Sequence, residues 1–151
     1  MEHKKKKLLI INNIGTPDSY QVSDVRRYLR EFLMDPQVIQ IPWLLRFILV
    51  YGIISVFRAP KSAEKYKSIW LKNGSPLMIY TENFIQKLAI LLPDFDIKIG
   101  MRYQNPSISN ALGKGSNYSQ IIFVSMYPQY AESRTKSSVD MFQSEITKLQ
   151  K

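Results

Sequence analysis

Apolar residues run unbroken through Leu8-Leu9-Ile10-Ile11, and Asn12, Asn13, Gly15 and Pro17 follow at once. A strand with one wet face would alternate; an unbroken run with β-branched members reads as a strand buried on both faces of a parallel sheet. Gly15 lets the backbone turn sharply or come close to a ligand, and Asp18 or Ser19 can cap a helix. A strand that passes through a short loop into a helix places that loop at the carboxyl edge of the sheet, where open α/β folds bind ligands. Two further runs, 97–101 and 121–126, predict a second and a third strand of the same kind.

Helical spacing fills the intervals. Val22, Val25, Leu29, Phe32 and Leu33 line one side of a predicted helix over 21–34, with Arg26, Arg27, Arg30 and Glu31 opposite, and Asp35-Pro36 stops it. Residues 38–41 read as a short extended piece ending at Pro42. Residues 43–57 are apolar nearly all round. That segment is too short to span a bilayer, which leaves two readings: a buried core helix, or an apolar lip that covers a greasy ligand or dips into a membrane surface. Arg58-Ala59-Pro60-Lys61 predicts a break. A helix over 61–71 follows, with Ala63, Tyr66 and Trp70 on one side. The turn Asn73-Gly74-Ser75-Pro76 then opens a helix to Leu92, with Leu77, Ile85, Leu88, Ala89 and Leu92 as core positions. Ser107 caps a short helix to Leu112, broken by Gly113 and Gly115, and a last helix covers 133–149. The pattern of strand, helices, strand, helix, strand, helix is α/β: a parallel sheet of three predicted strands flanked by helices, with right-handed crossovers. It forms one domain, 8–151, behind a basic tail, 1–7. A fourth parallel strand is expected where the last helix ends.

Composition narrows the chemistry. A chain of 151 residues and 17.6 kDa fits one domain and can bury roughly 69% of its extended surface. The absence of cysteine excludes disulfides, thiol catalysis, zinc–thiolate sites and iron–sulfur ligation. The net charge is +9, of which Lys4 to Lys7 supply four. The lysine run reads either as a solvated tail or as an attraction to an anionic surface; no aromatic interleaving or RNA-binding signature supports nucleic acid as a partner. The start does not read as a secretory signal, so a cytoplasmic location is expected. The only histidine is His3, so no serine has a histidine base and no metal cluster is visible. Gly113-Lys114-Gly115-Ser116 lacks the spacing of a phosphate loop, and Asn13-Ile14-Gly15-Thr16-Pro17 is not a dinucleotide fingerprint.

Three loops gather at the carboxyl edge of the predicted sheet: 13–18, 102–106 and 127–133. They carry Arg102, Tyr103, Tyr127, Gln129 and Tyr130, and the helical insertion brings Arg58 and Tyr66 toward them. Arginine suits carboxylates and phosphates and aromatic faces suit a flat apolar ligand. The set describes a site for something planar, greasy and anionic.

Six stretches in order resemble the N-terminal half of ferrochelatase, the enzyme that inserts ferrous iron into protoporphyrin. They are Leu9-Ile-Ile-Asn-Asn-Ile-Gly-Thr-Pro-Asp, Val25-Arg-Arg-Tyr-Leu-Arg-Glu-Phe-Leu-Met-Asp-Pro-Gln-Val-Ile, Phe57-Arg-Ala-Pro-Lys-Ser-Ala-Glu-Lys-Tyr, Gly74-Ser-Pro-Leu, Met101-Arg-Tyr-Gln-Asn-Pro-Ser-Ile and Tyr127-Pro-Gln-Tyr. The resemblance implies one of two similar α/β lobes with a porphyrin cleft between them. It implies porphyrin-binding roles for Ile14, Arg58, Tyr66, Ser75, Arg102, Tyr103, Tyr127 and Tyr130, and for 43–57 it implies the apolar lip at the cleft mouth with peripheral membrane contact. Ferrous iron and porphyrin are implied as substrates, with no tightly bound cofactor. The family's metal-handling histidine and glutamate lie in the second lobe, so this chain is expected to be inactive alone and to work with a second chain carrying the C-terminal lobe, or as a homodimer. The alternative is a non-catalytic porphyrin-binding module or an inactive truncated lobe. One departure bears on the site: Glu132, Arg134 and Lys136 stand where the family has small residues after Tyr-Pro-Gln-Tyr.

Overall fold

The computed structural model of the chain describes residues 6–113 and 118–149. The first strand, β1 (Lys7–Asn13), is central: β2 (Phe95–Met101) and β3 (Gln120–Ser125) pair with it on either side, both parallel, in the order β2-β1-β3. Leu9 stands opposite Ile97 on one side and Ile122 on the other. Helices cover both faces of β1, and Leu8, Leu9, Ile10 and Ile11 are all buried, as an unbroken apolar run requires. Lys7 is already part of the strand, so the basic run ends inside the sheet rather than before it. His3, Gly115 and most of the candidate phosphate-loop residues lie outside the described residues.

On one face, Leu8 and Ile10 pack against Ile108, Ala111 and Leu112 of α5 (Ile108–Leu112), with Phe142 and Ile146 of α6 (Ser137–Leu149) closing over them. The rings of Phe123 and Phe142 stack at 4.5 Å. On the other face α4 (Pro76–Leu91) lies over β2. The predicted cap forms, the Ser107 hydroxyl accepting from the Asn110 amide at 3.1 Å, and Ser75 caps α4 in the same way, accepting from the Met78 amide at 3.5 Å. The core expected along α4 is only partly made. Leu77, Ile85, Leu88 and Leu92 are half-buried, Ala89 is exposed, and Thr81 is the buried member of the helix. Three strands do not cover all the apolar surface that α4 presents.

Two segments differ from expectation for local reasons. Residues 38–41 are not extended: the Val38 and Ile39 amides both donate to the Asp35 carbonyl and close a turn. The break expected at 58–61 is absent. α2 (Trp43–Phe47), a π-helical stretch (Ile48–Arg58) and α3 (Ala59–Ile69) form one helix of 27 residues. The Ala59 amide donates to Ile54, five residues back, so the next carbonyl in that register is Ser55, whose donor would be Pro60. Proline has no N–H, and the Nε of Arg26, from α1 (Val22–Met34), fills the vacancy at 2.9 Å. The Nε of Arg30 donates to the Ser55 hydroxyl at 2.9 Å, and its guanidinium lies 4.7 Å from the centre of the Tyr51 ring. Two arginines of α1 thus keep the helix continuous past a proline.

Gly15 fixes how the first two loops meet. Its φ is +102°, and a Cβ there would lie 2.0 Å from the Tyr103 carbonyl oxygen. That approach lets the β1–β2 ladder continue beyond the strands, with the Arg102 amide donating to Asn13 and the Tyr103 amide to Ile14. Gly15→Ala therefore meets both a steric block and an unfavourable φ, and is expected to cost about 2 kcal/mol or more, read as a lower urea midpoint with an unchanged slope.

Candidate functional site

The carboxyl edge of the sheet is capped by α1 and the helix of residues 43–69, and aromatic rings fill the contact. Tyr28 of α1 is buried, stacks on Phe32 at 6.0 Å and meets Tyr66 of α3 edge-on at 6.3 Å. Phe32 meets Tyr103 at 5.2 Å, and Tyr66 meets Trp70 at 6.4 Å. Burial pushes the Tyr28 phenol well above its ordinary range, with the phenols of Tyr66, Tyr103 and Tyr127 adding to the shift. Burial likewise pushes Tyr66, Tyr103 and Tyr127 up. Four tyrosines at this edge are therefore neutral at physiological pH. They offer ring faces and hydroxyl hydrogen bonds, and none is poised to act as a base.

Beneath them lies a carboxylate. One oxygen of Asp35 accepts from Arg102 Nη2 at 2.5 Å, the Tyr103 hydroxyl at 2.8 Å and the Ser137 hydroxyl at 2.5 Å; the other accepts from the Gln37 amide at 2.8 Å. Arg102 Nε donates to the Ser137 hydroxyl at 2.6 Å. The Asp35 side chain is 4% exposed and that of Arg102 13%. Burial pushes the Asp35 carboxyl up, but the hydrogen bonds from Ser137, Gln37 and Tyr103 and the Arg102 charge more than reverse this, leaving it below the usual carboxylate range.

Of the eight residues that the resemblance singles out, five come together. Ile14 and Tyr103 share a backbone hydrogen bond, and Tyr66, Arg102, Tyr103 and Tyr127 surround Tyr28 and Asp35. Their roles differ. Tyr66 and Tyr127 are half-buried, and Tyr127 exchanges a hydrogen bond with Ser138 at 3.1 Å. Tyr103 is 1% exposed and its hydroxyl is committed to Asp35, so it braces the edge from within. Most of the Arg102 guanidinium is likewise engaged by Asp35 and Ser137. Ser75 caps α4 beside a cavity of about 190 Å³ that Thr16, Asp18 and Trp70 also line. Arg58 is exposed and makes no ion pair among the described residues, and Tyr130 is 70% exposed. Glu132, Arg134 and Lys136 lie on the exposed side of a π-helical turn (Glu132–Lys136), while Ser133 and Thr135 face inward.

Sequence reasoning missed Tyr28 and Asp35. Tyr28 lies three residues after Val25 and four before Phe32, on the face already recognised as apolar, and that spacing was the available signal. Asp35 read only as a helix stop; nothing local marks a carboxylate whose donors lie 67 to 102 residues away.

Asp35→Asn removes the charge that Arg102 faces in a nearly closed site and is expected to cost about 3 kcal/mol at neutral pH. Because the folded carboxyl titrates below its unfolded value, the parent holds this contribution above about pH 4 and loses it as pH falls through the folded value. The stability gap between parent and variant should narrow on going from pH 7 to pH 3 in urea titrations; a gap independent of pH would show that the carboxylate charge is not what matters.

The sequence model of the ferrochelatase family matches residues 6–151. The ferrochelatase of Bdellovibrio bacteriovorus is 45% identical over 147 residues, covering 95% of this chain and 44% of the relative. That of Legionella pneumophila strain Corby is 43% identical over 133 residues, 87% of this chain and 40% of the relative. That of Coxiella burnetii strain Dugway is 43% identical over 135 residues, 87% of this chain and 38% of the relative. The chain spans less than half the length of these relatives. A three-stranded parallel sheet flanked by helices, the Gly15 crossing and a family match over nearly every residue lead to one assignment: the chain belongs to the ferrochelatase family.

Proposed function

We propose that these 151 residues form the porphyrin-holding lobe of a ferrochelatase and take part in haem synthesis when a complementary C-terminal half supplies the metal-handling histidine and glutamate. The observation that carries this reading is the cluster of neutral tyrosines at the carboxyl edge, of which Tyr66 and Tyr127 stay half-buried, together with the exposed Arg58, which makes no ion pair among the described residues. A porphyrin is planar and apolar with carboxylates at its rim. Ring faces suit its plane and a free guanidinium suits a propionate. Among the described residues no group of histidine and carboxylates could hold a metal ion, so in this reading iron is a substrate delivered from the other half. There a general base takes the two pyrrole protons as ferrous iron enters. This lobe orients the ring and excludes water.

The helix of residues 43–69 supports the second part of the reading, a lip that contacts a membrane surface from the cytoplasmic side. It is long and apolar enough by length and composition to cross a membrane, yet Arg26 and Arg30 hold one side of it to α1. The other side is bare: Trp43, Leu44, Leu45, Ile48, Ile53, Val56 and Phe57 are each more than half exposed. An apolar strip of that extent on a soluble surface calls for a partner, and a helix held along one side while apolar on the other lies in an interface rather than across it.

Titration of protoporphyrin, followed by its absorption, tests the first part. Arg58→Ala and Tyr66→Ala are each expected to weaken binding about tenfold, since a hydrogen bond to a charged group contributes roughly 1.5–3 kcal/mol. If these two and Tyr127→Ala all bind like the parent, the edge is not the porphyrin site. For the lip, the parent should sediment with liposomes and Leu45→Glu with Ile48→Glu should not. A monomer that ignores liposomes would refute the membrane contact.

A further inference from the structure

One spacing runs the length of the helix of residues 43–69. Its buried positions include Arg46, Val50, Ser55, Ala59 and Ala63, four residues apart with one step of five inside the π-helical stretch. Two residues before each, about half a turn round, stand Leu44, Ile48, Ile53, Phe57 and Lys61, and Lys65 continues the row. All six are exposed, the four apolar ones more than half. The face turned away from α1 is thus a single row that starts apolar and ends basic. Arg46, the one charged residue among 43–57, takes no part in it: it is buried, and its Nη1 donates to the Ile39 carbonyl at 3.0 Å.

Charge is as one-sided as the row. No acidic residue stands between Asp35 and Glu64, and 58–72 carries Arg58, Lys61, Lys65, Lys67 and Lys72 against Glu64 alone. The four lysines are exposed, and none forms an ion pair among the described residues. An apolar row by itself takes a neutral and an anionic bilayer alike; lysines beside it tell the two apart, because the negative potential of anionic headgroups attracts basic residues within a Debye length. Lys61 follows Phe57 by about one turn, roughly 6 Å along the axis. With Phe57 at the acyl boundary, the Lys61 stem runs over apolar surface and its ammonium reaches the phosphate layer.

We propose that Lys61 and Lys65 make this helix selective for bilayers with anionic headgroups, seating it at an incline with Leu44 to Phe57 in the acyl boundary and the two lysines among the phosphates. The proposal rests on the reading that the helix contacts a membrane surface, and adds the class of lipid that it takes. The occupant is a bilayer rather than an acidic protein. A bilayer places an apolar layer and an anionic one a few ångströms apart, in the order in which the row presents its side chains. A protein interface carries hydrogen-bonding groups throughout, and the row offers none before Lys61.

Co-sedimentation of the 151-residue chain compares vesicles of phosphatidylcholine with vesicles in which about a third of the lipid is phosphatidylglycerol. The parent should bind the anionic vesicles about twentyfold more tightly, since each lysine near such a surface contributes about fivefold. Lys61→Gln with Lys65→Gln should remove most of that preference and leave binding to the neutral vesicles unchanged. Lys87→Gln, which takes a charge from the exposed side of α4, should change neither. Raising salt from about 0.1 M to about 1 M, which shortens the Debye length from about 10 Å to about 3 Å, should erase the preference. A preference that survives the loss of Lys61 and Lys65 belongs to basic residues elsewhere and overturns the proposal. A parent that binds both vesicles equally overturns it too, and leaves the membrane contact standing. A parent that binds neither strikes the membrane contact along with the proposal and leaves the row to a protein partner.

Discussion

Four hydrogen bonds converge on the Asp35 carboxylate, and their donors belong to three parts of the chain: the turn after α1, the loop leaving β2 and the start of α6. Each donor alone would be an unpaired polar group under the aromatic edge, at a cost of about 1–3 kcal/mol. Gathered on one carboxylate they satisfy one another. The end of α1 is thereby pinned to the sheet, which sets where Tyr28 and Phe32 lie, and these in turn set the positions of Tyr66 and Tyr103. The aromatic edge inherits its geometry from a buried charge that never faces it.

α1 works in the other direction as well. Its arginines at 26 and 30 reach away from the sheet to Ser55 and Tyr51 and hold the long apolar helix in place. A carbonyl freed by Pro60 would otherwise be unsatisfied in the middle of that helix, and π-helical stretches of this kind gather at functional positions because they are kept only where tertiary contacts secure them. The same thirteen-residue helix therefore fixes the aromatic edge at its carboxyl end and the long apolar helix along its side.

What could be read from the sequence was what local chemistry decides. The run from Leu8 to Ile11, the sharp turn at Gly15, the helix opened at Pro76, the cap at Ser107 and the three parallel strands all follow from residues a few positions apart. The carboxyl edge was legible too, because strand, loop and helix order places it. Contacts made across the fold were not. The continuity of the helix through Arg58-Ala59-Pro60 depends on Arg26, 29 residues before Ser55, and the turn at Val38 depends on where Asp35 is held. Arg102 and Tyr103 were placed correctly at the edge, but their side chains turn inward to Asp35, which no spacing in the sequence foretells.

Apolar surface left outside the core gives the fold its remaining constraint. It is not spread evenly: the exposed large apolar residues gather on Trp43 to Phe57 and on α4, with single ones such as Val124 and Leu149 elsewhere. Among the described residues the buried apolar core centres on β1, β2 and α5, and much apolar side-chain surface stays outside it. The two apolar territories stand on different elements, and the tyrosine edge lies apart from the α4 surface because α1, held at Asp35, comes between the long apolar helix and the sheet.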